Sequence, residues 1–414
     1  MRLICLLCVA LCILSCKKEV EKKTTTMKDD VYALADDTFN GRQTGTKGEL
    51  QAAAYIENRF KEIGLQPKGY KANYTQTFTF KPSSNPHEQA EFTGLRGDST
   101  LTGTNVVAFI DNGAKTTVVI GAHYDHLGMG GEGSLYREEK AAIHNGADDN
   151  ASGVAVMLDL AEKLSNEKTE VKANNYLFIA FSGEEMGLLG SNYFVKNSTV
   201  PVENISYMIN MDMVGRLNSE NTIAVHGVGT SPIFKQTLFA NNEADFNIAE
   251  HNSGIGPSDH TSFYLADIPV LHFFTGQHED YHKPGDDAEK LNYKGMQKIS
   301  DYIFAIISDL NDNGKLAFRK TKDESEEVPR FKVGLGVVPD YLFTGQGMRI
   351  DGISEDKPAQ KAGLQKGDIV VKLGEFEVTD MMSYMKALAT FEEGQTTEVV
   401  IKRNDTKEKV NVTF

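Results

Sequence analysis

Cysteine is scarce in this 414-residue chain, and its few occurrences are confined to one place. All four cysteines lie within the first 16 residues. The sequence after residue 16 therefore has no thiol for a disulfide and no cysteine ligand for a metal. Any metal site in the remaining chain would have to be built from histidine, aspartate and glutamate.

Basic residues are also few relative to acidic ones. The chain has 43 Lys and Arg against 58 Asp and Glu, which gives a formal net charge of −15 at pH 7. Such an excess of negative charge disfavours nucleic acid, or an anionic membrane surface, as the main partner. We therefore expect no nucleic-acid partner.

The apolar run at the start of the chain is too short to span a membrane, which takes roughly 18 residues or more. One positive charge, this apolar run and a small residue before Cys16 form the pattern of a secretory signal over residues 1–15. Residues 13–16, ILSC, resemble the lipobox of bacterial lipoproteins. The resemblance implies lipidation of Cys16 and a membrane-anchored protein of the cell envelope, periplasmic or in the outer membrane. An ordinary signal peptide is the alternative.

Two charged stretches divide the rest of the chain. Residues 16–30 have no apolar periodicity, which is typical of a flexible tether. Residues 313–330 are charged, contain a proline and follow a long helical pattern, so they are the best candidate for a linker. We expect a large domain over residues 31–312 and a small domain over residues 331–414.

Strand and helix patterns alternate in the large domain. Helical spacing is clear over residues 47–64 and 153–165. Strand-like apolar runs occur at residues 104–110, 116–122, 176–181, 207–211 and 268–274. This alternation predicts an α/β/α sandwich around a mostly parallel sheet. The small domain alternates apolar and polar residues, which is typical of a β-rich fold.

Ionisable side chains follow four of the predicted strands. They are His123, Asp125, Glu184, Glu185, Asp212 and His282. In open α/β sheets the ligand crevice lies at the carboxyl ends of the strands. A solvated turn is the simplest explanation of an isolated Glu-Glu pair. The recurrence at several strand ends favours a metal-binding or catalytic site instead.

Six motifs in a fixed order carry a family resemblance. They are GAHYDH, HNGADDNASG, FSGEEMGLLGS, NMDMVG, SDHTSFY and YHKPGDD. This set, with GRQTG upstream, resembles the M28 family of zinc peptidases over roughly residues 28–311. The resemblance implies two zinc ions per chain and hydrolysis of peptide bonds, as an aminopeptidase acting on peptides in the cell envelope.

The resemblance assigns roles to individual residues. It gives ligand positions to His123 and Asp212 for one ion, Glu185 and His282 for the other, and Asp148 between the two. Glu184 matches the general base, and Asp125 matches the carboxylate that orients His123. Asp149 matches a structural position at an unusual cis peptide of the family. Tyr281, next to a ligand position, is a candidate for the substrate pocket.

The small domain resembles a PDZ domain. Gly334, Leu335, Gly336 and Val337 match the carboxylate-binding loop, and PAQKAGLQKGDIVVKLG matches the segment that follows. Such domains add a peptide as an extra strand at a sheet edge, with backbone N–H groups around its terminal carboxylate. The resemblance implies a peptide or protein C-terminus as partner, whereas a role in packing alone is the alternative.

Three rival functions remain open from the sequence. A glutaminyl cyclase uses much of the same scaffold with one zinc and catalyses a transfer. A carboxypeptidase would need a free carboxyl end on its substrate instead of a free amino end. A PDZ binding module on an inactive peptidase would have lost ligands, whereas all the matched positions are occupied here.

Overall fold

The computed structural model describes residues 25–82, 91–93, 97, 99–131, 133–136, 138, 140–166, 168–321, 333–340, 342–343, 345–354 and 356–414. The predicted signal segment and the predicted lipidation site Cys16 lie outside the described residues. No helix in the described part of the chain is long and apolar enough to cross a membrane.

The secondary structure alternates as the sequence predicts. The α-helices are α1 (Met27–Leu34), α2 (Lys47–Ile63), α3 (Gly153–Ser165), α4 (Leu189–Lys196), α5 (Phe234–Ala240), α6 (His260–Tyr264), α7 (Tyr293–Asp309), α8 (Pro358–Lys361) and α9 (Met381–Leu388). The strands of the large domain are β1 (Gln66–Pro67), β2 (Thr75–Lys81), β3 (Glu91–Phe92), β4 (Leu101–Ile110), β5 (Thr117–His123), β6 (Asn175–Phe181), β7 (Ile205–Met211), β8 (Thr222–His226), β9 (Asn247–His251) and β10 (Val270–Phe274). Helix α1 begins inside the segment 16–30 that was predicted to be a tether.

A single mixed sheet forms the centre of the large domain. Its strand order is β3-β2-β4-β6-β5-β7-β10-β8-β9, with β1 paired to β4. The four central strands β6, β5, β7 and β10 run parallel, whereas β4 and β8 join them antiparallel. The sheet as a whole is therefore mixed, and the parallel block lies at its middle.

Strand β6 shows why an unbroken apolar run is needed there. Its alternate side chains face opposite sides of the sheet. Tyr176 and Phe178 join the core beneath α1, α2, α3 and α7, while Leu177 and Ile179 join the core on the face of α4 and α6. All seven residues of β6 are buried. A strand covered on both faces favours an unbroken apolar run, and the one polar side chain of β6, Asn175 at its start, is hydrogen-bonded.

Register in the parallel block aligns the strand ends. His123 at the end of β5 is paired with Phe181 at the end of β6, and Phe273 near the end of β10 is paired with Met211 at the end of β7. The loops after these strands therefore emerge along one edge of the sheet. This edge is where the sequence predicts the site.

The small domain is an antiparallel sheet with two helices. Its strands are β11 (Val337–Pro339), β12 (Met348–Ile353), β13 (Ile369–Leu373), β14 (Phe376–Glu377), β15 (Thr396–Arg403) and β16 (Thr406–Thr413). Their order is β11-β12-β13-β15-β16, with β14 paired to β13. A separate core includes Leu335, Ile350, Val370 and Ile401.

The predicted linker begins later in the structure than in the sequence analysis. The Leu316 side chain is buried, and its N–H donates to Ser206 Oγ at 3.0 Å. Arg319 N donates to Thr230 O at 2.7 Å. Residues up to 321 thus pack on the large domain, although the charged sequence from 313 predicted a solvated segment. Residues 322–332 lie outside the described part.

Candidate metal centre and active site

The side chains after β5, β6, β7 and β10 converge on one cleft at the predicted edge of the sheet. The cleft has a volume of about 90 Å³ and opens to solvent. Its lining includes His123, Glu184, Glu185, Asp212 and His282. Strand register and the aligned strand ends thus bring together residues that are up to 159 positions apart in the sequence.

One half of the cluster is built around His123. Its Nε2 lies 3.3 Å from Asp212 Oδ1 and 3.3 Å from Asp149 Oδ1. One ligand atom each of His123, Asp212 and Glu184 lie within 4.8 Å of one another. This spacing fits three ligands around one cation, with Glu184 close enough to be either a ligand or a proton acceptor.

The other half of the cluster is built around Glu185 and His282. His282 Nε2 lies 3.3 Å from Glu185 Oε2 and 3.2 Å from Asp149 Oδ2. His126 Nδ1 approaches Glu185 Oε1 at 2.7 Å. The two oxygens of Asp149 therefore face different histidines, one in each half of the cluster.

Asp149, and not Asp148, occupies the bridging place. Asp148 Oδ1 instead accepts a hydrogen bond from Gly215 N at 2.6 Å, and its Oδ2 lies 3.2 Å from His278 Nε2. Both backbone N–H groups of the pair donate to Asp286 Oδ2, which fixes the turn so that the two carboxylates point to different places. The peptide bond after Asp149 is cis. The sequence-based assignment of Asp148 is therefore wrong in this geometry.

The electrostatics of the cluster show an excess of negative charge. Burial alone would lower the pKa of His123, but the carboxylates of Asp212 and Glu184 outweigh burial and raise it well above its usual range. His282 responds in the same way, with burial opposed by the charge of Glu185. A divalent cation would supply the positive charge that these protons otherwise provide.

The donor set fits zinc. Zinc is bound in proteins by imidazole nitrogen and carboxylate oxygen, and these are the atom types that the two halves present. Three carboxylates, Asp149, Glu185 and Asp212, lie in contact with the histidine nitrogens. This chemistry supports the inference of zinc from the sequence.

Glu184 has the environment expected of a proton acceptor. It is only partly exposed. Burial raises the pKa of its carboxyl well above the usual value, and the charges of Asp212 and Glu185 raise it further, against the opposing effect of His123. A raised pKa brings a carboxylate closer to the range in which it can take and release a proton.

Asp125 lies behind His123 but does not bind its ring. The distance from His123 Nδ1 to Asp125 Oδ1 is 3.8 Å, longer than a hydrogen bond. His123 Nδ1 is instead 3.2 Å from the carbonyl oxygen of Asp125, and the carboxylate accepts from Glu184 N at 3.1 Å. Burial raises the pKa of Asp125 to about 6.

His126 is a site residue that the sequence analysis left without a role. It is buried, and its Nε2 has no hydrogen-bond partner among the described residues. Gly146 makes room for it, because a Cβ at that glycine would lie 2.5 Å from the His126 ring. No local pattern in the sequence marks His126, because its partner Glu185 lies 59 residues away.

The remaining wall of the cleft is mostly aromatic and apolar. Tyr281 lines it, as predicted, and stacks on His282 with ring centroids 3.9 Å apart. Met213 and Phe274 lie beside it, together with His272. A substrate group entering the cleft would therefore meet uncharged surface next to the carboxylates.

The predicted PDZ loop lies at the edge of the small sheet. Leu335 is buried in the core of the small domain, and Gly336 has φ of +74°, with Lys357 packed against it. Val337 begins β11, which pairs only with β12 in the described part of the sheet. The other side of β11 can therefore accept an added strand.

Comparison with known proteins gives two family matches. Residues 105–307 match "Peptidase family M28", and residues 317–414 match "PDZ domain". Aminopeptidase YwaD of Bacillus subtilis is 30% identical over 200 residues, 46% of this chain and 40% of that protein. The chain spans less than half the length of the first curated relatives that it matches.

Solved structures show the same fold in two kinds of enzyme. The zinc aminopeptidase BSAP of Bacillus subtilis is 16% identical, with a TM-score of 0.53 over 72% of this chain and 97% of that one. The glutaminyl cyclase of Porphyromonas gingivalis is 17% identical, with a TM-score of 0.53 over 69% of this chain and 97% of that one. Together with the motifs and the cleft, the matches establish that residues 105–307 of this chain belong to peptidase family M28 and that a PDZ domain follows them.

Proposed function

We propose that this protein is an aminopeptidase that binds two zinc ions and releases N-terminal residues from peptides. The observation that carries the proposal is the position of Asp149, whose two oxygens lie 3.3 Å from His123 Nε2 and 3.2 Å from His282 Nε2. A carboxylate between two histidine-containing ligand groups fits a pair of metal ions better than one.

The residues divide the work of hydrolysis between them. His123 and Asp212 would hold one ion and Glu185 and His282 the other, with Asp149 shared. Zinc bound at such a site lowers the pKa of water and polarises a carbonyl group. Glu184 would take the proton from the attacking water and deliver it to the leaving amine.

The comparisons support aminopeptidase action more than the rival functions. A relative at 30% identity is named an aminopeptidase, whereas the solved zinc aminopeptidase, at 16% identity, is similar in fold alone. The similarity to a glutaminyl cyclase concerns the fold alone. An inactive peptidase domain is disfavoured because ligand groups are present in both halves of the cluster.

Metal content and a set of matched peptides test the proposal. The purified protein should contain about two zinc ions per chain by mass spectrometry of the metal. It should cleave a peptide with a free amino end, spare its N-acetylated form, and cleave a C-amidated form normally. Failure to cleave the C-amidated peptide would identify a carboxypeptidase. One zinc per chain, with cyclisation of an N-terminal glutamine, would identify a cyclase. Glu184→Gln protein, prepared in the same way, controls for contaminating peptidases.

We further propose that the protein is lipid-anchored in the cell envelope through Cys16. Support comes from the ILSC motif in the sequence. Cys16→Ser should move the protein from the membrane fraction to the soluble fraction after cell breakage. Equal amounts of both proteins in the membrane fraction would refute the anchor.

The PDZ domain would bind the C-terminus of a peptide at the loop of residues 334–337. The position of β11 at the end of the strand order, among the described residues, supports this mode of binding. Peptides from a library with a free C-terminus should bind the full chain, and their C-amidated forms should not. Equal binding of the two forms would contradict recognition of the carboxylate.

A further inference from the structure

A buried carboxylate lies behind the metal-ligand cluster, in a part of the chain that precedes the M28 match. Glu49 of α2 is fully buried. Its Oε1 accepts hydrogen bonds from Thr104 N at 2.9 Å, from Ser182 Oγ at 2.6 Å and from Tyr124 OH at 3.3 Å. Its Oε2 accepts from Gly45 N at 2.6 Å.

The donors to Glu49 belong to segments that carry the site. Tyr124 lies between His123 and Asp125, directly after β5. Ser182 follows β6 and comes two residues before Glu184. One carboxylate thus connects the two strand ends that present these residues. A carboxylate that was buried for stability alone would need only enough hydrogen-bond donors to offset its burial. It would not need donors from both of these strand ends.

A second connection leads from Glu49 to Asp125 through two hydroxyl groups. Ser182 Oγ lies in contact with Thr44 Oγ1 at 3.3 Å, and Thr44 Oγ1 donates to Asp125 Oδ2 at 3.0 Å. Because Ser182 donates its single proton to Glu49 and Thr44 donates its own to Asp125, the two hydroxyl oxygens are held together by packing and not by a hydrogen bond. The other oxygen of Asp125 accepts from Glu184 N at 3.1 Å. The path from Glu49 therefore ends on the backbone of the predicted base.

We propose that Glu49 is a positioning residue of the catalytic site, which fixes the ends of β5 and β6 so that His123, Glu184 and Glu185 keep the spacing that metal binding and catalysis need. It acts through Ser182, Thr44 and Tyr124 and touches neither metal nor substrate. This inference rests on the proposed function for its catalytic part, whereas its effect on zinc affinity can be measured separately.

The geometry distinguishes this role from that of an ordinary buried acid. Asp30 of α1 is also buried, but it is bound by Arg59 and Tyr55. Both partners lie on helix α2, and the other hydrogen bonds of Arg59 go to Glu62 on α2 and Glu162 on α3. Asp30 therefore provides a matched control in the same segment of the chain.

Glu49→Gln keeps the size of the side chain but replaces an acceptor oxygen with an N–H₂ group that faces donors. We expect a fall in zinc affinity of about tenfold to 100-fold, the usual effect of losing a group that supports metal ligands. At saturating zinc, kcat should fall about tenfold while KM changes little. Zinc affinity would be measured by competition with a chromogenic chelator, and kcat with a small amino-acid amide.

Asp30→Asn should lower the melting temperature of the protein but leave zinc affinity and kcat at the wild-type values. If Glu49→Gln behaves like Asp30→Asn, the positioning role is refuted and the proposed function is untouched. If wild-type protein binds zinc but hydrolyses no peptide, the proposed function fails, while the zinc affinity of the variant still tests the positioning role.

A milder variant covers the case in which Glu49→Gln does not fold. Ser182→Ala removes the hydroxyl that donates to Glu49 Oε1 and packs against Thr44, and it leaves the other donors to Glu49 in place. We expect zinc affinity and kcat to fall in the same direction, each about threefold to tenfold, with a small change in melting temperature. Unchanged zinc affinity and kcat in this variant would overturn the proposal.

Discussion

Exchanging Asp149 and Asp148 for asparagine, one at a time, tests two adjacent carboxylates whose roles the family resemblance assigned in the reverse order to the structure. Asp149→Asn removes a negative charge from between His123 and His282, where its oxygens lie 3.3 and 3.2 Å from the ring nitrogens. Asp148→Asn keeps an oxygen that can accept from Gly215 N and loses only the ion pair with His278.

The two substitutions should lower zinc affinity by different amounts, because Asp149 faces His123 and His282 whereas Asp148 faces Gly215 N and His278. Removing one partner of a buried charge pair costs about 3–5 kcal/mol, which corresponds to a loss of roughly 10²- to 10³-fold or more in zinc affinity. A supporting residue outside the ligand set costs about tenfold to 100-fold. Asp149→Asn should therefore lose zinc under conditions in which Asp148→Asn keeps both ions.

Equilibrium dialysis against zinc buffers, with metal counted by mass spectrometry, measures both affinities. Melting curves of the zinc-free proteins show whether either variant is unfolded, which would otherwise imitate metal loss. Our assignment of the bridge is refuted if Asp148→Asn loses zinc while folded and Asp149→Asn retains two ions.

The remaining predictions concern the base, the second ion, the domain boundary and pH. Glu184→Gln should keep both zinc ions while kcat falls by about 10²–10⁴-fold; metal loss would make Glu184 a ligand instead. Glu185→Gln should lose one zinc first and recover activity at high zinc, and retention of two ions at wild-type affinity would argue against its ligand role. A chain that ends at Thr321 should fold and still cleave small amino-acid amides, because residues 314–321 pack on the large domain; a folded but inactive product would contradict modular domains. In zinc-free protein, burial raises the pKa of Glu49 from 4.5 to about 7. Between these two pH values the folded protein holds a proton on Glu49 that the unfolded chain releases. The contribution of this group to the free energy of unfolding is therefore lost as the pH rises from about 4.5 to 7. The loss is about 3 kcal/mol at most, and urea unfolding at both ends of this range should show a smaller decrease for Glu49→Gln; equal decreases would refute it.

The central strands were predictable because burial on both faces leaves a simple pattern. Strand β6 has no polar position between Tyr176 and Phe181, and the structure buries all of it. Strand β8 was missed, because Thr222–His226 is short and ends in a histidine. Its burial comes from pairing with β9 and β10, strands that lie more than 20 residues further along the chain.

The adjacent aspartates mark the limit of motif matching. Both lie in the stretch GADDNASG, and matching the motif predicted Asp148 as the bridge, whereas Asp149 lies between the two histidines. The choice depends on Asp286, which binds both backbone N–H groups from 137 and 138 residues away. Long-range contacts of this kind leave no local signal in the sequence. His126 was missed for the same reason, since its partner Glu185 is 59 residues away.

The segment upstream of the M28 match contributes more to the site than its sequence suggests. Arg42 is fully buried and donates to Tyr124 O at 2.7 Å and to Gly146 O at 3.0 Å. The first acceptor lies beside His123 and the second lies three residues before Asp149, so one guanidinium connects two ligand-bearing loops. Burial lowers the pKa of Arg42 to about 10, against the charge of Asp125, and it therefore stays charged at neutral pH. A fixed cation near the carboxylates stabilises their charged forms, and Arg42, like Glu49, lies before residue 105, where the family match begins.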